Sequence, residues 1–253
     1  MRNLKLLFSL LLILTIFSSC AELAQLATQT VEQGTTTSNP LTNTEIISGL
    51  KDALAKGTDY AVQNLASENG YLGSEVLKIY LPDEAKVLYD KVENIPVMDV
   101  IIDNTVTSIN RAAEDAANQA KPIFLAAITN MTIQDGLAIL NGSDSSATEY
   151  LKSKTSAQLF NSFKPKIEAS LSKTYVGDIS AEATYKQAID AYNGASLNGF
   201  LWPKISSNSL SDHTTQKALD GLFLKVAEEE KAIRKDPVHR VSEILKRVFG
   251  YQE

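Results

Sequence analysis

One cysteine, Cys20, stands among 253 residues, so the chain can form no internal disulfide even in an oxidising compartment. Histidine is almost as scarce. Neither His213 nor His239 sits in a His-Glu-x-x-His pattern or beside a second ligand at helical spacing, which excludes the common zinc arrangements. No Gly-x-Ser-x-Gly elbow and no glycine-rich phosphate loop occurs, so serine-hydrolase and nucleotide chemistry lack their usual scaffolds, and no cofactor is implied. Basic residues are outnumbered, 24 against 30, for a net charge of -6. An acidic surface repels phosphate backbones, which excludes nucleic acid as a partner, and it gives no electrostatic attraction to anionic lipid.

Long hydrophobic runs are also missing, with one exception at the start. Arg2 and Lys5 precede an apolar run from Leu6 to Phe17, interrupted only by Ser9 and Thr15, and Ser18-Ser19-Cys20 follows. The run is too short for a permanent membrane-spanning helix and has the three-part order of a signal peptide. The only cysteine falls directly after the small residues, where a lipobox places the thiol that accepts a diacylglyceryl group. Phe17 stands where leucine is most usual. Residues 1–19 therefore read as a lipoprotein signal peptide and Cys20 as the point of lipid attachment. Loss of Arg2 and Lys5 leaves 22 basic residues against 30 acidic, a mature charge of -8. Residues 20–40 include Gly34-Thr35-Thr36-Thr37-Ser38-Asn39-Pro40 and read as a flexible tether. The expected location is the cell envelope, on the periplasmic or outer-membrane side, with the membrane as a partner through the acyl anchor.

From about Leu41 the helical period dominates. Ile46, Ile47, Leu50, Leu54, Ala61 and Leu65 form one stripe, closed by Asn69-Gly70. Val76 to Leu81 is the only candidate strand. Pro82-Asp83-Glu84 has the composition of a helix start, and Pro96 ends that element. A helix carrying Ile102, Val106, Ile109, Ala113, Ala116 and Ala120 follows, and Pro122 predicts a break near Lys121. Ile123 to Ile128 is apolar almost all round and predicts a central buried helix. Thr132 with Asp135 predicts a capped start for a helix ending at Asn141-Gly142. Further helices are marked by Leu159, Phe160, Phe163, Ile167 and Leu171, with a bend at Pro165, and by Tyr185, Ala188, Ile189 and Tyr192. Asn193 to Ser209 reads as a loop holding the only tryptophan, Trp202. Helices from Leu210 to Lys235 and after Asp236-Pro237 close the chain, the last with Val241, Ile244, Leu245, Val248 and Phe249 inward. The predicted fold is all-α, a single multi-helix domain over residues 41–253 with at most one short extended segment.

Several phrases of this domain stand out together: Asn110-Arg111-Ala112-Ala113-Glu114, Leu140-Asn141-Gly142, Lys217 to Phe223, Ala227 to Pro237, and Val248-Phe249-Gly250. In combination they resemble a bacterial envelope family known as domain of unknown function four-one-nine-seven, over roughly Leu41 to Gly250. Gly199 to Ser209 reads as longer than the family's pattern. The resemblance implies an exported, mostly helical protein and brings no substrate with it.

Polar residues in awkward places supply the remaining candidates. On the last long helix Leu219, Leu222, Phe223, Val226 and Ile233 define the inward stripe. Glu228 points away from it, Glu229 lies on its edge, and Glu230 falls inside it. A buried carboxylate is costly unless paired, so Glu230 is expected in an ion pair with a cation from another helix, with Arg111 as a possible partner. Arg111 lies opposite its own helix's alanine stripe, where Asp115 could pair with it locally. Asn110 and Asp220 are candidates by their place in the family-like phrases. The sequence favours a lipid-anchored binding module for an envelope protein or a small ligand. Two alternatives stay open: a carrier holding an apolar ligand between helices near Phe124, Phe160 and Phe163, and a hydrolase using paired carboxylates.

Overall fold

In the computed structural model, the residues described are 41–88, 96–176, 179–206, 209–236, 239 and 243–250. Residues 1–40, on which the expected leader, the expected lipid attachment at Cys20 and the expected tether fall, lie outside them. Chain entry into the first helix, α1 (Asn43–Ala66), is set by a reciprocal capping box: the Glu45 carboxylate accepts from the Thr42 amide, and Thr42 Oγ1 accepts from the Glu45 amide. Ile47, Leu50, Leu54, Ala61 and Leu65 are buried as their spacing requires. Asn69 takes a left-handed φ of 68° to turn the chain after α1.

Val76 to Leu81 is not a strand. Residues 75–77 lie in a turn, and the segment after them runs without a strand neighbour. Asn110 substitutes for that neighbour. Its Oδ1 accepts from the Ile79 amide at 2.8 Å and its Nδ2 donates to the Ile79 carbonyl at 2.7 Å. The only paired strands among the described residues are a two-stranded antiparallel ribbon, β1 (Thr174–Val176) with β2 (Ile179–Ser180). Pro82-Asp83-Glu84 starts a helical segment as expected: a 3-10 turn over Asp83–Ala85 leads directly into α-helix at residues 86–88, where the described stretch stops.

The next helices are α2 (Pro96–Ala117), α3 (Ala120–Thr129) and α4 (Ile133–Leu140). The break between α2 and α3 falls at Asn118-Gln119, ahead of the expected Lys121. Pro122 sits in the first turn of α3, where its missing N–H has no intrahelical acceptor to lose. α3 is a surface helix, against the expectation of a central one. Ile123, Phe124 and Ile128 are buried, but Leu125 is 53% exposed because the neighbouring helices cover only one face. Thr132 and Asp135 form the expected capping box of α4.

α5 (Ser146–Leu171) buries Ala147, Leu151, Thr155, Leu159, Phe163, Ile167 and Leu171, one residue in every four. Steps of four drift about 40° each around a helix of 3.6 residues per turn. The buried seam therefore winds around α5, which packs against α4, α3, α2 and, from its first turn to Lys164, α7 (Leu210–Lys235). α7 also packs on α1 and α2, and α6 (Ala181–Ala195) lies against α2. Gly136 brings α4 onto Ile47 of α1, where a Cβ would overlap the isoleucine. Gly49 admits the last helix, α8 (Glu243–Gly250), whose Ile244 and Val248 lie against it. Val241 and the side chains of Leu245 and Phe249 lie outside the described residues. From Thr42 on, the protein is one all-α domain.

Candidate functional site

Glu230 on α7 is buried, with its side chain 5% exposed. Its cation comes from its own helix rather than from another: Arg234 Nε and one terminal nitrogen donate to Oε1 at 3.0 and 2.9 Å. What Glu230 joins across helices is backbone. Oε1 accepts from the Ala147 amide at 3.0 Å, and Oε2 accepts from the Thr148 amide and hydroxyl, both at 2.8 Å. These groups are the first turn of α5, whose own N-cap residue, Ser145, makes no side-chain capping bond. Glu230 thus caps α5 from outside, and its negative charge sits at the positive end of that helix. Arg234 also donates to the Ile139 carbonyl near the end of α4, so one ion pair fixes α4, α5 and α7 together.

Arg111 belongs to a second clamp of the same design. It pairs with Glu114 at 2.6 Å rather than with Asp115 or Glu230. Glu114 is 4% exposed, and its Oε1 accepts from the consecutive amides of Tyr71 and Leu72. Arg111 reaches on to Glu68 and to the Asn69 side chain, which fixes the turn after α1. Asp115 instead accepts from Ser170 on α5. Beneath the turn the Tyr71 hydroxyl donates to the Ala218 carbonyl of α7. Burial, reinforced by the nearby Glu114 charge, pushes that phenol far above its usual range.

Glu182 on α6 is, like Glu230, a carboxylate placed at the start of another helix. It faces the backbone amides of Leu210 and Ser211, the beginning of α7, whose N-cap Ser209 likewise makes no side-chain capping bond. Burial raises the Glu182 pKa and outweighs the lowering by those two amides. Asp212 and Glu168 nearby raise it further.

The sequence-derived candidates therefore do not converge. Asn110 holds Ile79, Arg111 holds the turn after α1, and Glu230 holds α5, with no hydrogen-bond partner in common. Asp220 is exposed and accepts only from Gln216, one turn before it on the same helix. Glu114, Arg234 and Glu182 escaped the sequence reading. Arg234 had a visible signal, a cation four residues after Glu230 in the favourable order for a helix.

Two surface features remain. A groove of about 330 Å³ between α4 and α5 is lined by Asp135, Ile139, Ser146, Glu149 and Tyr150 among others. Both of its carboxylates are engaged locally, Asp135 with Thr132 and Glu149 with Ser145. The Thr132 bonds hold Asp135 below its usual pKa, the wrong direction for a general acid. Among the described residues, no group of three or more His, Cys, Asp and Glu side chains could hold a metal ion. The second feature is the loop after α6, whose apolar side chains point into solvent: Leu197 is 61% exposed, Phe200 83% and Leu201 56%.

The fold and these clamps describe an all-α domain in which buried carboxylates act as joints between helices. The chain belongs to the family described as "Protein of unknown function (DUF4197)", which matches residues 40–250. No curated protein and no solved structure matches it.

Proposed function

We propose that the protein is a lipid-anchored binding module of the bacterial cell envelope, tethered through Cys20. The carrying observation is the contrast between a packed interior and an exposed apolar loop. Phe124 and Phe163 are fully buried, and Phe124 packs edge-on against Phe223 with ring centroids 6.0 Å apart. These rings act as core, which gives no support to a ligand cavity between them. Of the groove carboxylates, Asp135 is tied into the α4 capping box and Glu149 accepts from the Ser145 hydroxyl, which gives no support to a glycan-cleaving pair. Leu197, Phe200 and Leu201 instead place apolar surface on the outside, where it serves contact with another body.

The test is expression of the natural chain and of Cys20→Ala with labelled palmitate, followed by separation of membranes from soluble material. The natural chain is expected to carry label and to sediment with membranes, and Cys20→Ala to do neither. Label retained by Cys20→Ala would overturn the assignment.

A further inference from the structure

We propose that residues 195–205 form a bilayer-contacting tip, which dips Leu197, Phe200 and Leu201 into the lipid–water interface. The inference deepens the binding-module reading and rests on it for the nearness of a membrane.

The first argument is the order of side chains. The stretch Ala195-Ser196-Leu197-Asn198-Gly199-Phe200-Leu201-Trp202-Pro203-Lys204-Ile205 contains no acid and one base, in a protein whose overall charge is negative. Its exposed apolar side chains form the tip. Trp202 next to them in the chain is half-buried, with its ring centroid 6.1 Å from that of Tyr192, and Lys204 is exposed. Exposed aliphatic and phenyl groups followed in the chain by an indole and an ammonium are the residue types that populate a membrane interface.

The second argument is the backbone. An inserted loop must satisfy its own amides, because acyl chains accept no hydrogen bonds. Here the Leu197 amide donates to the Gly194 carbonyl, Asn198 to Asn193, Gly199 to Ser196, Phe200 to Leu197 and Leu201 to Ser196. All five tip amides are therefore closed within the loop. A surface built to pair with a protein strand would leave such groups open.

The third argument is rigidity. The Asn193 side chain accepts from the Ile205 amide at 2.8 Å and donates to the Ile205 carbonyl at 2.9 Å, which staples the base of the loop. Leu197, Asn198 and Gly199 all take positive φ, at 50°, 54° and 99°. A leucine held in that region with its side chain in water is an arrangement the fold maintains against local preference. On the anchored reading, the twenty residues between Cys20 and Leu41 reach at most about 70 Å, so the start of the domain stays within that distance of a bilayer. Since the protein is acidic, apolar insertion drives the contact, and it does not require anionic lipid.

Trp202 is the only tryptophan, so emission excited at the red edge, where the nine tyrosines do not absorb, reports on this loop alone. The acylated full chain is reconstituted into phosphatidylcholine vesicles with and without bromine on the acyl chains. Trp202 emission is expected at shorter wavelength than in the unacylated chain in buffer, with intensity lost in the brominated vesicles. High salt should leave both effects in place. Phe200→Ser with Leu201→Ser should abolish the quenching while the protein still floats with the vesicles and keeps its circular dichroism. Phe200→Trp with Trp202→Phe moves the indole to the tip and should deepen the quenching. Floating protein whose fluorescence ignores the bromines in both the natural chain and the Phe200→Trp form would overturn the proposal. So would a photo-crosslinker at position 200 that captures protein and no lipid. Should the natural chain fail to float, the anchoring reading falls by itself. The tip is then read in the same way on the chain coupled through its Cys20 thiol to maleimide lipid, with quenching supporting it and unchanged emission refuting it.

Discussion

Replacing Glu230 by alanine removes a carboxylate that accepts five hydrogen bonds, two from Arg234 and three from Ala147 and Thr148. The loss takes the carboxylate away from a guanidinium whose side chain is only 11% exposed and leaves two buried amides at the start of α5 unsatisfied. Breaking a buried ion pair from one side costs about 3–5 kcal/mol. The lost helix cap, worth about 1 kcal/mol in isolation, is part of that figure and is not added to it. For a domain of this size the penalty corresponds to a fall in Tm of roughly 6–20 °C. Glu228 provides the internal control. It lies two residues away, with its side chain 52% exposed and paired only with Lys225, so Glu228→Ala should change stability by no more than about 0.5 kcal/mol. Urea unfolding followed by circular dichroism measures both. Adding Arg234→Ala to Glu230→Ala should cost less than the sum of the single changes, by about 0.5–3 kcal/mol, because the interaction between the two side chains can be lost only once. Equal and negligible effects of Glu230→Ala and Glu228→Ala would refute the clamp, and strict additivity with Arg234→Ala would refute the pairing.

Other substitutions probe other joints. Asn110→Ala leaves both backbone groups of Ile79 without a partner and should cost about 1–3 kcal/mol, with faster hydrogen exchange at the Ile79 amide. Gly136→Ala forces a methyl group into Ile47 and should cost about 1–3 kcal/mol, whereas Gly194→Ala, with open space around it, should stabilise α6 by about 0.5–1 kcal/mol. The His213 imidazole, which contacts the Tyr80 carbonyl at 2.9 Å, is held below its usual pKa, chiefly by burial. Its contribution to stability is therefore complete above the ordinary imidazole range and is lost as pH falls through that range toward the lowered folded value. Stability measured against pH should lose this component in His213→Asn, and an unchanged profile would contradict it.

Helix identity was largely legible because it rests on local pattern. The expected bounds of α7, Leu210 to Lys235, match the structure, and so does the Thr132 and Asp135 capping box. Glu230 was recognisable as buried because a carboxylate inside an apolar stripe conflicts with its surroundings. Its partners were not, since the amides of Ala147 and Thr148 carry no side-chain signature and lie more than eighty residues away. Glu114 could have been found by the same test, being four residues after the buried Asn110, but the neighbouring Arg111 drew attention to local pairing. Ile123 to Ile128 misled for a complementary reason. Composition gives the apolar character of a helix, whereas tertiary neighbours decide how many of its faces are covered, and Leu125 was left outside. The segment Val76 to Leu81 carried β-type composition, but no strand was available to pair with it, and one asparagine side chain took that role.

The most direct test of the functional account is the mass of the N-terminal peptide from protein extracted from the membrane fraction of the cells that naturally produce it. The account predicts a chain beginning at Cys20, with a diacylglyceryl group on the sulfur and a mass increment to match. A chain that begins elsewhere, or one that carries a free thiol at Cys20, would contradict it.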